Sequence, residues 1–191
     1  KLSRLENLVI AGKFNYEEIG YFEANHDGLA DVLKAIEVAK TDEDIKGISI
    51  LNNTLSLGIA QTKALRDQLE DFKKSGKFVM AYGDGYSQKD YYLNSVANTI
   101  YLNPIGDIDF KGLSTEVMYF KDFQDKTGLK MEVIRHGKYK SAVEPFLLSE
   151  MSPENRDQIT TFLTSIWNAM AADISKSRNI PVAQLNTIAA G

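Results

Sequence analysis

The hydrophobic positions of the chain alternate between helical spacing and short continuous runs. Apolar residues recur every three or four positions over residues 28–40 and again over 58–74, whereas residues 48–51, 78–82 and 99–102 are short runs rich in β-branched and aromatic side chains. The first spacing places apolar side chains on one face of a helix, and the second kind of run is typical of buried strands. The pattern therefore predicts helices alternating with strands.

The second half of the chain continues this alternation. The sequence predicts a helix over residues 87–96, a short strand over 108–113, a helix over 119–126 and a strand over 130–134. A long amphipathic helix should begin at Pro153 and reach about Ser175, because Ser152 is a good N-cap and proline favours the first helical position. Strands alternating with helices indicate an α/β protein with a largely parallel sheet. One apolar stripe of the long helix should pack against the domain or a neighbouring subunit: Phe162, Leu163, Ile166, Trp167 and Met170.

Composition excludes several kinds of function. The formal net charge of -4 argues against a basic surface that binds nucleic acid. With no cysteine and two histidines far apart in the chain (His26 and His136), disulfides, thiol nucleophiles and a zinc site are not expected. No apolar run is long enough to span a bilayer. The chain begins at Lys1 and ends at Gly191 without targeting signals, so we expect both ends to be cuts within a longer protein.

Residues 135–146 follow a predicted strand and continue neither periodicity, and loops after strands often carry function. Within them Lys140 is the candidate general base. A lysine can act in this way only if its pKa falls by about three units from roughly 10.4, through burial or through neighbouring cations such as Arg135 and Lys138. The alternative is an ordinary solvated lysine, and the residues alone do not decide between the two.

Several stretches of the sequence resemble long-form signal peptide peptidases of the SppA type, also called protease IV. The segment with the lysine matches at Tyr139-Lys140-Ser141-Ala142-Val143-Glu144-Pro145-Phe146 and at Met151-Ser152-Pro153-Glu154. Further matches, in the order of the family, are Asp44-Ile45-Lys46-Gly47-Ile48, Ser75-Gly76-Lys77-Phe78-Val79 and Ala97-Asn98-Thr99-Ile100-Tyr101-Leu102-Asn103-Pro104. The resemblance covers about residues 28–185, and residues 1–27 match weakly.

The resemblance implies a ClpP/crotonase-like α/β fold of repeated β-β-α units, with residues 28–191 forming the N-terminal domain of a serine endopeptidase. It implies a Ser–Lys dyad in which Lys140 is the general base, while the nucleophilic serine lies in a C-terminal domain outside this chain. It further implies an N-terminal membrane helix outside this chain, a homo-oligomer, expected to be a tetramer, and remnant signal peptides as substrates. The expected location is the bacterial cytoplasmic membrane, with the catalytic domain on the periplasmic side. No cofactor or metal is implied.

Two serines invite a different interpretation. Laid onto the family's serine-bearing domain, the nucleophile position falls on Gln88, next to Ser87, and Lys89 and Asp90 replace the glycines expected there. Ser87 is therefore predicted to be a helix N-cap. The loop of residues 52–56 also lacks the paired glycines of an oxyanion loop. Ser141 adjoins Lys140 but is not expected to be the nucleophile.

Other interpretations remain open at this point. Glu144 either orients the loop or is solvated, and the solvated reading is preferred. The tyrosines are expected to be mostly core or interface residues. The domain could instead serve as a non-catalytic scaffold of the same assembly, or as an acyl-CoA enzyme of the crotonase type, since that fold is shared. By itself the chain is expected to lack peptidase activity.

Overall fold

The computed structural model describes residues 28–51, 57–129, 131–132 and 143–190. The described residues divide into two compact units, one made of residues 28–112 with 170–190 and the other of residues 113–169. Their helices and strands, in chain order, are α1 (Leu29–Thr41), β1 (Gly47–Leu51), α2 (Ile59–Lys73), β2 (Phe78–Gly83), α3 (Gln88–Asn94), β3 (Thr99–Leu102), α4 (Lys121–Thr127), α5 (Glu144–Leu147), α6 (Pro153–Arg178) and α7 (Val182–Ala190).

The first unit contains a parallel sheet with the strand order β1-β2-β3. Ile48 pairs with Val79, and Ala81 pairs with Ile100. Parallel neighbours need a crossover between them, and α2 and α3 supply the two crossovers. The predicted α/β class with a parallel sheet is confirmed.

One face of this sheet is covered by helices. Because side chains alternate along a strand, Ile48, Ile50, Val79 and Ala81 all point to the same side. They form one buried cluster with residues of α1, α2, α3 and the segment after α3: Ile36, Ala39, Leu65, Leu69, Phe72, Leu93, Val96 and Ala97. This cluster is the core of the first unit.

The opposite face of the sheet carries exposed apolar side chains. Leu51, Tyr82 and Tyr101 share one register across the three strands. Leu51 is 42% exposed, Phe78 44%, Tyr82 39% and Tyr101 51%. We call these four residues the outer sheet face. Single exposed apolar residues are ordinary, but a contiguous group of this kind is typical of a surface that another protein part covers.

A tight turn follows β3. The amide of Gly106 donates to the carbonyl of Asn103 at 2.8 Å. A Cβ atom at position 106 would lie 2.0 Å from the carbonyl oxygen of Asp84, so the two backbones approach too closely for any side chain there. The turn therefore requires glycine.

The strand predicted over residues 108–113 is wrong. Ile108 forms only an isolated parallel bridge with Tyr86, in which Tyr86 donates to Asp107 and Asp109 donates back to Tyr86. The bridge cannot lengthen, because the next residue after Tyr86 is the N-cap of α3 and the chain turns into that helix.

The strand predicted over residues 130–134 is not present in its described part, since Met131 and Glu132 belong to no strand. The amide of Met131 donates instead to the side chain of Gln124. The other positions of that prediction lie outside the described residues. The sequence reading also missed two helices, the four-residue α5 and the nine-residue α7.

The long helix α6 begins as predicted. Ser152 accepts a hydrogen bond from the amide of Asn155 at 3.2 Å, and Pro153 is the first helical residue. The helix continues to Arg178, slightly beyond the predicted end, and is followed by Asn179 with a φ of 53°. Of the predicted apolar stripe, Met170 is buried and Phe162 is exposed. In the part of the chain that the structure describes, no helix combines the length and the apolar character needed to cross a membrane.

Candidate functional site

The predicted general base, Lys140, lies outside the described residues, as do Arg135, Lys138 and Ser141. The structure describes the residues on both sides of this segment, all of which belong to the second unit. Met131 and Glu132 precede it, and the chain is described again from position 143 onwards. How these flanking residues are held therefore defines the frame of the candidate site.

Glu144 holds the downstream flank against the start of α6. One carboxylate oxygen accepts from the Ser152 hydroxyl at 2.6 Å, and the other accepts from the Ser152 amide at 3.3 Å and from the Asn155 side chain at 3.0 Å. The first helical amides lack partners within the helix, and a carboxylate near them is favourable. The solvated reading of Glu144 is thus wrong, because this carboxylate is half-buried and bonded to the cap of α6.

The two residues after Glu144 are attached to the N-terminus of α4. The amide of Phe120 donates to the carbonyl of Pro145 at 2.7 Å. The rings of Phe120 and Phe146 stack with centroids 5.7 Å apart and planes 15° from parallel. Stacked aromatic pairs are worth about 1 kcal/mol beyond their buried area. The downstream flank is therefore fixed on two elements, α4 and α6.

Gln124 of α4 contacts both flanks. Its side-chain NH2 donates to the carbonyl of Phe146 at 2.9 Å, and its side-chain oxygen accepts from the amide of Met131 at 2.7 Å. One amide group thus joins the main chain before the segment to the main chain after it. We call this pair of hydrogen bonds the Gln124 bridge.

A cavity of about 380 Å³ lies beside the Gln124 bridge. Apolar and polar residues line it in equal number: Leu129, Met131, Phe146 and Leu147, and Lys121, Gln124, Asp125 and Gly128. Lys121 pairs with Asp125 at 2.7 Å, and this bond raises the pKa of Lys121. Binding sites for small ligands combine apolar walls with a few polar groups.

Tyr119 lies at the edge of the same frame. Its hydroxyl is buried, and no described residue forms a hydrogen bond with it. Burial raises the pKa of Tyr119, the charge of Glu144 raises it further, and Arg156 opposes both. The phenol therefore stays neutral and can donate a hydrogen bond.

In the first unit, Ser87 is the N-cap of α3, as predicted. Its hydroxyl accepts from the amide of Asp90 at 3.2 Å and donates to the Asp90 carboxylate at 2.5 Å, and that carboxylate accepts from the Ser87 amide at 3.2 Å. This reciprocal arrangement is a capping box, which satisfies helix amides. The Ser87 hydroxyl is bonded to a carboxylate within its own helix, and this arrangement accounts for it without catalysis.

The residues after Ser87 also have structural partners. The side-chain amide of Gln88 both donates to the carbonyl and accepts from the amide of Gly112, each at 2.7 Å. The amine of Lys89 donates to the carbonyl of Leu57 at 2.6 Å. Gln88, which the resemblance aligns with the nucleophile position, therefore holds the main chain at Gly112. Residues 52–56, the predicted counterpart of the oxyanion loop, lie outside the described residues.

A buried arginine network in the same unit was missed by sequence reading. Arg66 is fully buried and donates to the carbonyls of Tyr92 and Asp173 and to the hydroxyl of Ser177, at 3.2, 2.9 and 2.6 Å. Its guanidinium also lies 5.1 Å from the centre of the Tyr92 ring. Burial lowers the pKa of Arg66, and burial together with the bond to Asp173 raises the pKa of Tyr92. The sequence feature that could have revealed this network is the position of Arg66 between Leu65 and Leu69, on the apolar face of α2.

Comparison with known proteins adds the assignment that geometry alone does not make. The sequence profile of peptidase family S49 matches residues 71–191, more than half of the chain. The chain belongs to peptidase family S49. This family is part of the ClpP/crotonase-like clan, which agrees with the parallel sheet and the long helix α6.

The S49 chain is similar to three curated relatives. It is 42% identical to Protease 4 of Haemophilus influenzae over 78% of this chain, and 38% identical to Protease 4 of Salmonella typhi over 83%. It is 30% identical to the chloroplastic serine protease SPPA of Arabidopsis thaliana over 68% of this chain. The matched parts cover 25%, 26% and 19% of those relatives, so the chain spans about a quarter of the two bacterial proteins.

Proposed function

We propose that this chain is the part of a Ser–Lys peptidase that supplies the general base, Lys140, to a serine carried elsewhere in the full protein. Membership of family S49 is the observation that carries the proposal. Two features of the structure support it. The residues flanking Lys140 are fixed to α4 and α6, and the serine at the start of α3 is engaged as a cap.

The chemistry needs a neutral lysine. The amine of Lys140 takes the proton of the serine hydroxyl as the serine oxygen bonds to the peptide carbonyl carbon. The resulting ammonium gives that proton to the leaving amine when the C–N bond breaks. A water molecule, deprotonated by the same amine, then attacks the acyl carbon. The ester C–O bond breaks, the ammonium returns the proton to the serine oxygen, and the carboxylic acid leaves. The cycle needs no cofactor or metal.

The proposed substrate is an extended apolar peptide, such as the remnant of a cleaved signal peptide. The four apolar side chains among the residues that line the cavity beside the Gln124 bridge support this choice. The full protein is proposed to be anchored in the bacterial cytoplasmic membrane by an N-terminal helix, to act on the periplasmic side and to assemble as a homo-oligomer, expected to be a tetramer. The chain by itself, without the serine, is proposed to be inactive.

Lys140→Ala in the full-length protein tests the base. We expect peptidase activity to fall by about 1,000-fold or more, in the range seen when a member of a catalytic set is removed, while the oligomer stays intact. Near-normal activity in an intact oligomer would exclude the role. In the unmodified enzyme the neutral amine is the active form, so the rate should rise with pH through the lowered lysine pKa. A rate that is flat from about pH 6 to about pH 10 would count against a lysine base.

The outer sheet face favours a second candidate, a scaffold role within the same assembly. Its exposed Leu51, Phe78, Tyr82 and Tyr101 form an apolar surface without covering helices among the described residues. Since the bacterial relatives are about four times longer than their matched part, we propose that a further domain of the same protein covers this face. In this role Lys140 would only form ion pairs, and the Lys140→Ala experiment separates the two candidates.

A further inference from the structure

The part of α6 that belongs to the second unit carries an exposed stripe with a large aromatic side chain. Phe162, Ser165 and Ala169 are all exposed. They follow one another at intervals of three and four positions, so they lie on one side of the helix. Phe162 is 63% exposed, and most of its side chain is therefore open to solvent.

The same part of the helix carries no charge. Residues 158–172 include no aspartate, glutamate, lysine or arginine, and the exposed positions among them include Thr160, Thr161 and Thr164. A helix face in contact with water usually carries charged and long polar residues, and threonine is a weak helix former. An exposed phenylalanine among small uncharged residues is instead typical of a face that another protein part covers.

The stripe is complementary in shape to a second copy of itself. In a two-fold contact between antiparallel helices, a residue near the axis meets its own copy, and the residues on either side of it exchange partners. With Ser165 near the axis, Phe162 of each copy lies against Ala169 of the other. A large side chain then faces a small one at both ends of the contact, which fills the space between the helices. A parallel pair would place the two alanines opposite each other and leave a gap there.

The absence of charge also favours a second copy over a different partner. A charged residue near a two-fold axis approaches its own copy, and like charges at short range repel. A different partner could instead match such a charge with one of opposite sign. A phenylalanine brings roughly 200 Å² to a contact, compared with roughly 800 Å² for each side of a standard interface. The stripe is therefore suited to be one contact within a larger oligomer.

We propose that α6 pairs with α6 of a second copy in an antiparallel contact centred near Ser165. This inference rests on the homo-oligomer put forward under the proposed function, and it assigns one subunit contact to that oligomer. Phe162 is the anchor of the contact, since it is the large apolar side chain of the stripe and becomes buried against Ala169 of the other copy.

Cysteine cross-linking of the full-length protein tests the contact. These 191 residues contain no cysteine, and the unsubstituted protein reports any background from the rest of the protein. Two cysteines form a disulfide only where their Cα atoms come within about 7 Å. Under mild oxidation Ser165→Cys should give a covalent dimer as its main product. Thr160→Cys is the matched control, because it is an exposed position on another side of α6 and should stay a single chain.

Phe162→Glu tests the anchor. Replacing a buried aromatic anchor by a charge should raise the dissociation constant of the oligomer by about 30-fold or more. Sedimentation of the full-length protein over a range of concentrations measures this. Phe123→Glu is the control, since Phe123 is an exposed phenylalanine of α4 and undergoes the same chemical change. It should leave the dissociation constant unchanged, and equal effects of the two substitutions would refute the role of Phe162.

Other results would also overturn the inference. A folded, oligomeric Ser165→Cys protein that forms no covalent dimer refutes the contact, as does equal cross-linking of Thr160→Cys. If Ser165→Cys fails to fold, a mixture of Phe162→Cys and Ala169→Cys decides. The antiparallel contact links the two variants to each other, and linkage of each variant only to itself, or none, refutes it. A monomeric unmodified protein refutes the proposed homo-oligomer itself, whereas an oligomer without these cross-links refutes only the pairing of α6.

Discussion

At the scale of single residues, the contacts that a side chain makes determine its role in this chain more than its residue type does. Ser87 stands where the family resemblance makes a nucleophile tempting, yet its hydroxyl is bonded to Asp90 within one helical turn. Gln88, which the resemblance aligns with the nucleophile position, forms two hydrogen bonds with the main chain of Gly112. Arg66, by type a surface residue, is fully buried. The sequence suggested the first of these roles but not the other two.

Ser87→Ala should weaken α3 without affecting catalysis. Loss of the cap should lower the free energy of unfolding by about 1 kcal/mol, as measured by urea unfolding. The full-length variant should keep its peptidase activity and its labelling by a serine-directed fluorophosphonate. Ser165→Ala, at an exposed position of α6, is the control and should change neither stability nor labelling. Loss of labelling in Ser87→Ala alone would show that this serine is a nucleophile.

Arg66→Ala should be among the more damaging substitutions in the first unit. It removes three hydrogen bonds from a charged donor and leaves the carbonyls of Tyr92 and Asp173 without those donors. We expect a loss of about 3 kcal/mol in urea unfolding. Arg156→Ala removes the same side chain from an exposed position of α6 and should cost less than about 0.5 kcal/mol. Equal effects of the two changes would show that the Arg66 network contributes little.

At the scale of helices and strands, the sequence predicts the elements best where one spacing of apolar residues continues over many positions. The helices α1 and α2 and the three strands lie within about two residues of their predicted ends, because apolar spacing specifies which face is buried. Prediction of a strand failed where the strand would have needed a neighbouring segment to pair with. Residues near Ile108 look like a strand, but Tyr86 can offer only one bridge before α3 begins.

The frame of the candidate site was less predictable than the core. The motif around Lys140 singled out the segment, and Ser152 was correctly placed as a cap. The bonds made by Glu144 and Gln124 join residues 8 and 22 positions apart, and no local pattern encodes which side chains meet at such separations. The helix α5 has only four residues, too few for a period to show.

An ion pair between α2 and the C-terminal part of α6 predicts a pH effect. The amine of Lys176 lies 2.6 Å from the carboxylate of Glu70 and lowers the pKa of that carboxyl. A lowered carboxyl pKa stabilises the fold above the ordinary value of 4.5, and this stabilisation is lost as the pH falls through the lowered pKa. Because Lys176 is exposed, solvent and salt screen the pair and its contribution to stability is small.

Lys176→Met is the corresponding test. Its free energy of unfolding should be slightly below that of the unmodified chain at pH 7, and the difference should vanish at an acidic pH at which Glu70 is protonated in both. Urea unfolding at the two pH values, at low salt, measures this. A difference of the same size at both pH values would show that Lys176 acts through packing instead.

At the scale of the whole molecule, the distribution of apolar surface is uneven. In the first unit α1 and α2 cover one side of the three-stranded sheet, whereas the outer sheet face is exposed. Parallel sheets usually have both faces covered. The sequence alone could not reveal this. The alternation of side chains along β1 and β2 shows which residues share a face, but it does not show whether the second face contacts solvent or another domain.

Tyr101→Glu should therefore act on the full-length protein and not on this chain alone. A charge on the outer sheet face should weaken docking of the covering domain, lowering thermal stability and peptidase activity of the complete protein. The chain alone should keep its stability within about 0.5 kcal/mol. Ile105→Glu is the control, since Ile105 is 95% exposed in a turn. Wild-type stability and activity in full-length Tyr101→Glu would show that the face is not covered by another domain.

The outer sheet face also bears on how the protein reaches its native state. Under the proposal that a further domain covers this face, its tyrosines and leucine stay exposed to solvent until that domain has folded. During that time they can associate with the same face of another copy, and such encounters become more frequent as the concentration rises. Cells that overproduce these 191 residues alone should therefore accumulate them in inclusion bodies or bound to chaperones. Producing the covering domain in the same cells should return them to the soluble fraction.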